Sequence, residues 1–131
     1  MRDIVYWVDV MTEGLSVVIP THGRHDLLAV LLESISADAE GADLDVEVII
    51  VDDSKEMEAE MISQTATAHN AKVIQGVASV GEKRNMGAIE VTYDLILFLD
   101  SDVKIMPGTL RAHMRCLTQE TEDVLYNTAH P

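Results

Sequence analysis

The 131-residue chain predicts an α/β fold, a three-layer α/β/α sandwich around a mainly parallel sheet. Three observations predict it. Short apolar runs alternate with segments whose apolar residues recur at helical spacing, and this βαβαβαβα order builds parallel sheets with helices on both faces. The most apolar run, Leu95-Ile96-Leu97-Phe98-Leu99, reads as a strand buried on both faces. That run ends in Asp100-Ser101-Asp102, two carboxylates at the end of the sheet where open parallel sheets take up ligands.

The elements follow in order. Leu15-Ser16-Val17-Val18-Ile19 is the first strand, stopped by Pro20. Leu27, Leu28, Leu31, Leu32 and Ile35 form one apolar helical stripe. Ala37 to Asp45 is acidic, contains Gly41 and reads as a loop. Val46-Glu47-Val48-Ile49-Ile50-Val51 is the second strand and ends in Asp52-Asp53-Ser54. Ser54 is expected to cap the next helix, whose positive end suits Glu56 and Glu58 and whose inner face is Met57, Met61 and Ile62. Lys72-Val73-Ile74-Gln75 is the third strand. Ser79-Val80-Gly81-Glu82 fits a capping box that opens a helix through Glu90. After the fourth strand, Pro107 suits the first turn of a last helix with Leu110, Met114 and Leu117 on one face. A chain that winds one way from the first strand and then crosses over gives the Rossmann-like order 3-2-1-4, with the switch point between the first and fourth strands. Residues 14–118 form one domain. Residues 1–13 are an extension whose alternating Ile4, Tyr6, Val8 and Val10 suit an extra strand, and 119–131 are a polar tail. The fourth strand lies at a sheet edge, which invites pairing. The Ile4 to Val10 segment, a second copy of the chain or a missing C-terminal half is expected to cover it.

Composition narrows the partners. A formal net charge of −14 disfavours nucleic acid and anionic membranes. An anionic ligand therefore needs a metal, a helix N-terminus or a few local cations. The 47% hydrophobic content supports a packed domain, and with only 4% aromatic residues its core is aliphatic. The single cysteine, Cys116, excludes an internal disulfide and a multi-cysteine zinc site, and reads as a small buried residue. No stretch is long enough to span a bilayer. Asp3 and Asp9 make the N-terminus a poor signal peptide, so a cytoplasmic location is expected.

The chemistry-bearing segments all fall at strand ends. Pro20-Thr21-His22-Gly23-Arg24 follows the first strand, Asp52-Asp53 the second and Asp100-Ser101-Asp102 the fourth. A parallel sheet brings all three to one rim. The helix opening at Ser79 starts near that rim and carries Lys83, Arg84 and Asn85 in its first turns. A diphosphate there meets a positive helix end and two cations. An Asp-x-Asp can hold a divalent cation that in turn holds the diphosphate. Each segment also has a structural use: Asx turns and caps for the aspartates, solvated charges for Lys83 and Arg84. His22 and His25 have no further ligand set around them and read as surface histidines.

In that order, these segments resemble the nucleotide-binding half of the family 2 glycosyltransferases, enzymes of the GT-A fold. The resemblance runs from about Leu15 to about Leu117. Leu15-Ser16-Val17-Val18-Ile19-Pro20-Thr21 looks like the family's opening strand, and Val48-Ile49-Ile50-Val51-Asp52-Asp53-Ser54 like its nucleotide-contacting Asp pair. Gly81-Glu82-Lys83-Arg84-Asn85-Met86-Gly87 looks like its Arg-Asn-x-Gly helix start, and Asp100-Ser101-Asp102 like its metal-binding Asp-x-Asp. The resemblance implies a donor that is a nucleoside diphosphate sugar, UDP- or GDP-linked. It implies that Thr21 and Asp53, with Asp52 close by, contact base and ribose, and that Arg84 with Lys83 faces base or phosphate. It further implies that Asp100 lies near the ribose and, with Asp102, belongs to the site for Mn²⁺ or Mg²⁺, and that the sugar passes to an acceptor hydroxyl, as a rule in this family with inversion. Two departures stand out. The family's aromatic-Asn pair after the Thr is His22-Gly23 here. The family also continues well past its Asp-x-Asp to an acceptor site and a catalytic carboxylate, whereas Glu120, Glu122 and Asp123 come too early to match it. No catalytic base is assigned, the acceptor is unknown, and the domain reads as a donor-binding half whose acceptor half is absent.

Two other classes compete. A non-catalytic nucleotide-sugar-binding module shares the site without turnover. A response-regulator receiver also uses an acid pair for Mg²⁺ and a third aspartate as phosphoacceptor. Its acid pair, however, follows its first strand, and here a full strand-helix unit precedes Asp52-Asp53. A nucleotidyltransferase is disfavoured because Thr21-His22-Gly23-Arg24 is too spare for a Gly-rich basic loop.

Overall fold

The computed structural model describes residues 14–117. They run β1 (Gly14–Thr21), α1 (His25–Ala42), β2 (Asp45–Asp52), α2 (Glu56–Ala68), β3 (Lys72–Gln75), α3 (Val80–Ile89) and β4 (Ile96–Phe98). A last helix, α4, covers 109–117. All strand pairs are parallel and the order is β3-β2-β1-β4, as the winding argument predicts.

Strand alternation divides the core into two unequal layers. Leu15, Val17 and Ile19 of β1 and Ile50 of β2 meet Leu28, Leu31, Leu32 and Ile35 of α1, Ile62 and Ala66 of α2, and Leu110 and Met114 of α4. On the other face Val18, Ile49 and Val51 meet Ile74, Met86, Val91 and Ile96. Among the described residues, three helices thus cover one face and α3 the other. At the end of the sheet away from the acid pairs, Glu47 accepts hydrogen bonds from Ser16 Oγ at 2.7 Å, Thr92 N at 2.7 Å and Thr92 Oγ1 at 2.9 Å. Burial works against ionising Glu47, but these bonds and the charge of Lys72 outweigh it and hold the carboxyl below its ordinary 4.5.

Pro20 does not stop β1, which continues to Thr21. Ser16 N donates to Leu95 O and Leu99 N donates to Val18 O, so even-numbered residues of β1 face β4. Pro20 is the next of these, and β4 ends at Phe98 before reaching it. Its missing N–H costs no ladder bond. The tips of β1 and β4 separate there, which opens a cleft.

Several expectations are corrected. Ala37 to Asp45 is not a loop: α1 runs on to Ala42, because Asp38 turns inward, is 7% exposed and accepts backbone N–H groups from Gly108, just before α4, and Leu110, in its first turn. Ser54 makes no cap bond to α2, whose N-cap is Lys55, since its hydroxyl is engaged across the sheet. Of the expected inner face of α2, Ile62 is fully buried, joined by Ala66, whereas Met57 points outward, 76% exposed, and Met61 is half-buried. Cys116 is exposed, because α4 turns Leu110, Met114 and Leu117 toward the core. The fourth strand is buried on one face only. Leu95 and Leu97 are buried while Phe98 is 41% exposed, as expected of a strand that lies at the sheet edge among the described residues. The Ile4 to Val10 strand and the 119–131 tail lie outside the described residues. Among the described residues no helix is long and apolar enough to cross a membrane.

Candidate functional site

The register of β1 and β2 pairs Thr21 with Asp52. Both side chains project to the same face, and Thr21 Oγ1 donates to Asp52 Oδ1 at 2.7 Å. Ser54 Oγ donates to the same oxygen at 2.8 Å and accepts from Gly23 N at 2.6 Å. Asp52 is therefore buried and engaged below the rim, where it ties β2 to the β1–α1 turn. That turn has two successive left-handed residues, Gly23 at φ 65° and Arg24 at φ 61°, a conformation that suits the glycine.

The neighbouring Asp53 faces the rim. Its Oδ1 lies 2.8 Å from His22 Nδ1 and 2.9 Å from Lys83 Nζ. Lys83 Nζ also donates to Thr21 O at 2.8 Å. Burial opposes ionisation of Asp53, but the hydrogen bonds from Lys83 and His22, with their charge, outweigh it and hold the carboxyl below its ordinary 3.8. An ionised carboxylate is an acceptor only, so the His22 ring donates through Nδ1.

Lys83 reaches this position because α3 lies close to the sheet. A Cβ on Gly87 would fall 2.4 Å from Val18 Cγ1 and 3.2 Å from Val51 Cγ2, so only glycine permits the approach. Lys83 lies one turn earlier on the same helical face, and its side chain is 3% exposed. Ser79 caps α3 as expected, accepting from Glu82 N at 3.3 Å. Arg84 stays at the surface, with a guanidinium nitrogen 3.5 Å from Asp100 Oδ1.

The separated tips of β1 and β4 enclose a cleft of about 340 Å³ lined by Thr21, His22, Arg24, Lys83, Asp100 and Asp102, among others. A larger hollow of about 550 Å³ between α1 and the segment leading to α4 carries none of the acid pairs at the rim. The smaller cleft is the candidate site, because it unites the ends of β1 and β4 with the starts of α1 and α3, and Asp53 at the end of β2 reaches its wall through Lys83. Of the residues singled out from sequence, Thr21, Lys83, Asp100 and Asp102 line it directly. Arg84 and Asp53 each touch one of those, and Asp52 lies beneath. His22 is a surface histidine as expected, 81% exposed, and what sequence reasoning missed is its bond to Asp53. Sequence reasoning also missed Arg24 and the role of Ser54. The i, i+4 spacing of Lys83 and Gly87 was a readable signal for a helix pressed onto the sheet.

Asp100 and Asp102 offer oxygen donors alone, the kind that Mn²⁺ and Mg²⁺ accept. Among the described residues no group of three His, Cys, Asp or Glu side chains converges. The donor set fits a hard cation that completes its shell with diphosphate and water oxygens.

The chain matches the glycosyl transferase family 2 over residues 16–130. It is 38% identical over 108 residues to an uncharacterized glycosyltransferase of Haemophilus influenzae, covering 80% of this chain and 35% of that protein. It is 30% identical over 109 residues to the chondroitin synthase of Escherichia coli, covering 80% of this chain and 16% of that protein. It therefore spans about a third or less of these relatives' length. S. aureus TarS 1-349 superposes with a TM-score of 0.62 at 27% identity, covering 76% of this chain and 30% of that one. The same protein matches in complex with UDP at a TM-score of 0.59. With sequence match and sheet order in agreement, the chain belongs to glycosyltransferase family 2 and has the GT-A fold.

Proposed function

We propose that this chain is the donor-binding part of a glycosyltransferase. It binds a nucleoside diphosphate sugar together with Mn²⁺ or Mg²⁺, and the sugar passes to an acceptor hydroxyl with inversion. The observation that carries this reading is the convergence of Thr21, Lys83, Asp100 and Asp102 on one cleft at the carboxyl end of the sheet. The UDP complex of TarS supports a uridine nucleotide as the first ligand to test.

Asp102, with Asp100, would hold the cation, which when bound would supply Lewis-acid stabilisation of the departing diphosphate. Thr21 and Asp53 face base and ribose, and Arg84 faces base or phosphate. Asp52 works from below and Lys83 from the cleft wall. Asp52 holds Thr21 and Ser54, while Lys83 neutralises Asp53 and fixes the Thr21 carbonyl. In transfer the anomeric carbon–oxygen bond to the diphosphate breaks and a bond to the acceptor oxygen forms. The acceptor proton goes to a base outside the set assigned here. The edge of β4 takes a further strand, which the longer relatives have chain enough to supply.

The test is calorimetric titration of UDP with and without Mn²⁺. Asp102→Ala is expected to remove at least about tenfold, or about 1.4 kcal/mol, of the metal-supported affinity. Asp94→Ala, at the far end of the sheet, is expected to leave it intact. Equal loss in both variants, or none in either, refutes the assignment. Sugar transfer or donor hydrolysis by the same protein separates an enzyme from a binding module.

A further inference from the structure

The turn that bears Asp100 and Asp102 is held from outside the cleft. It is exposed, and closes with Val103 N donating to Asp100 O at 3.4 Å. One end is anchored by the sheet, where Leu99 N donates to Val18 O at 3.1 Å. The other end, residues 103–108, pairs with no strand among the described residues. Two side chains of α1 hold it instead. Ile105 N donates to Ser34 Oγ at 3.2 Å. Gly108 N and Leu110 N donate to the two oxygens of Asp38 at 2.7 and 2.9 Å. Ser34 and Asp38 stand one helical turn apart on the same face. Ile105 and Leu110, buried beside these bonds, seat the segment against the core. Asp38 is an acidic residue buried in mid-helix. It would be costly there without partners, and both of its oxygens are engaged.

We propose that Ser34 and Asp38 are positioning residues for the Asp100–Asp102 turn. They fix the chain on the far side of the turn, so that both carboxylates stay presented to the cleft. A turn anchored at one end only would have to be ordered by the cation itself, at the expense of affinity. Neither residue lines the cleft. The inference rests on the reading of that cleft as a metal–nucleotide site.

Three variants test it: Asp38→Asn, Ser34→Ala and Ser34→Thr. Asn keeps the shape but presents an amide NH₂ to one of the two backbone donors. Ser34→Ala removes the acceptor for Ile105 N. Ser34→Thr restores a hydroxyl, and the adjoining hollow of about 550 Å³ has room for its methyl. UDP affinity is measured by calorimetry in Mn²⁺ and again in EDTA. Asp38→Asn is expected to lose about tenfold of the Mn²⁺-supported affinity, the scale of outer-shell substitutions at metal sites, with EDTA affinity unchanged. Ser34→Ala is expected to lose a smaller share, and Ser34→Thr to regain it. Equal losses with and without metal, or no loss in either, overturn the inference while leaving the cleft assignment standing. A wild-type protein whose UDP affinity ignores Mn²⁺ overturns the cleft assignment and the inference together. Should Asp38→Asn fail to fold, the Ser34 pair decides: Ala and Thr with the same Mn²⁺ dependence overturn the proposal.

Discussion

Gly87→Ala is the most direct probe of how α3 meets the sheet. The added Cβ lands 2.4 Å from Val18 Cγ1, 3.2 Å from Val51 Cγ2 and 3.3 Å from Val18 Cγ2. Carbon atoms pack at about 3.5–4.0 Å, so α3 must retreat by about 1 Å or more at this point. Lys83 travels with it, and its bonds to Thr21 O at 2.8 Å and Asp53 Oδ1 at 2.9 Å stretch toward the limit of useful geometry. Overpacking costs about 1–3 kcal/mol. A charge-assisted hydrogen bond contributes about 1.5–3 kcal/mol, part of which is lost here. The helix gains about 1 kcal/mol from Ala over Gly. The balance is a destabilisation of about 2 kcal/mol, which lowers the melting temperature of a domain this size by about 10 °C. Gly81→Ala in the same helix is the control. Its nearest neighbour is Ser79 Oγ at 3.8 Å, so Ala fits and is expected to be neutral or stabilising. Thermal and urea melts of the three proteins by circular dichroism measure the difference. A Gly87→Ala protein that melts at or above Gly81→Ala refutes the close-approach argument.

Other substitutions sort buried charge from surface charge. Lys83→Met leaves the nearly buried Asp53 carboxylate and the Thr21 carbonyl without their amine partner, and is expected to cost about 3–5 kcal/mol in urea denaturation. Lys72→Met breaks an ion pair of similar length, 3.1 Å to Glu90 with both side chains well exposed, and is expected to cost less than about 1 kcal/mol; equal losses would contradict the assignment of Lys83 as a structural cation. The third prediction concerns pH. The folded-state pKa of Asp53 lies below 3.8, so its contribution is fully present above the unfolded value and is lost as pH falls through the folded value. The stability gap between wild type and Asp53→Asn is therefore expected to stay constant from neutral pH down to about 5 and to shrink below about 4. A gap independent of pH down to 3 would contradict it.

The alternation of apolar runs and helical stripes is a local signal, and it carried the element order, the sheet order and the placing of three chemistry-bearing segments, two of them acidic, at strand ends. Ser79 and Glu82 are likewise legible as a cap, because both partners sit within one turn. The failures share a cause. Asp38 reads as a loop residue because acidic side chains are usually solvated, and only the segment from Gly108 to Leu110, 70 or more residues away, supplies the donors that let it be buried. Lys83 reads as a surface cation until Gly87 draws its helix onto Val18 and Val51. That Asp52 lies beneath Thr21, 2% exposed, is decided by the register that pairs the two.

The chain order alone determined that these residues form a wound parallel sheet with its acids at one rim, because periodicity and turn chemistry act within a few residues. Tertiary packing decided which carboxylates face the cleft and which stay beneath it. Whether a charged group is buried depends on partners that distant parts of the chain must bring, and no local pattern encodes them.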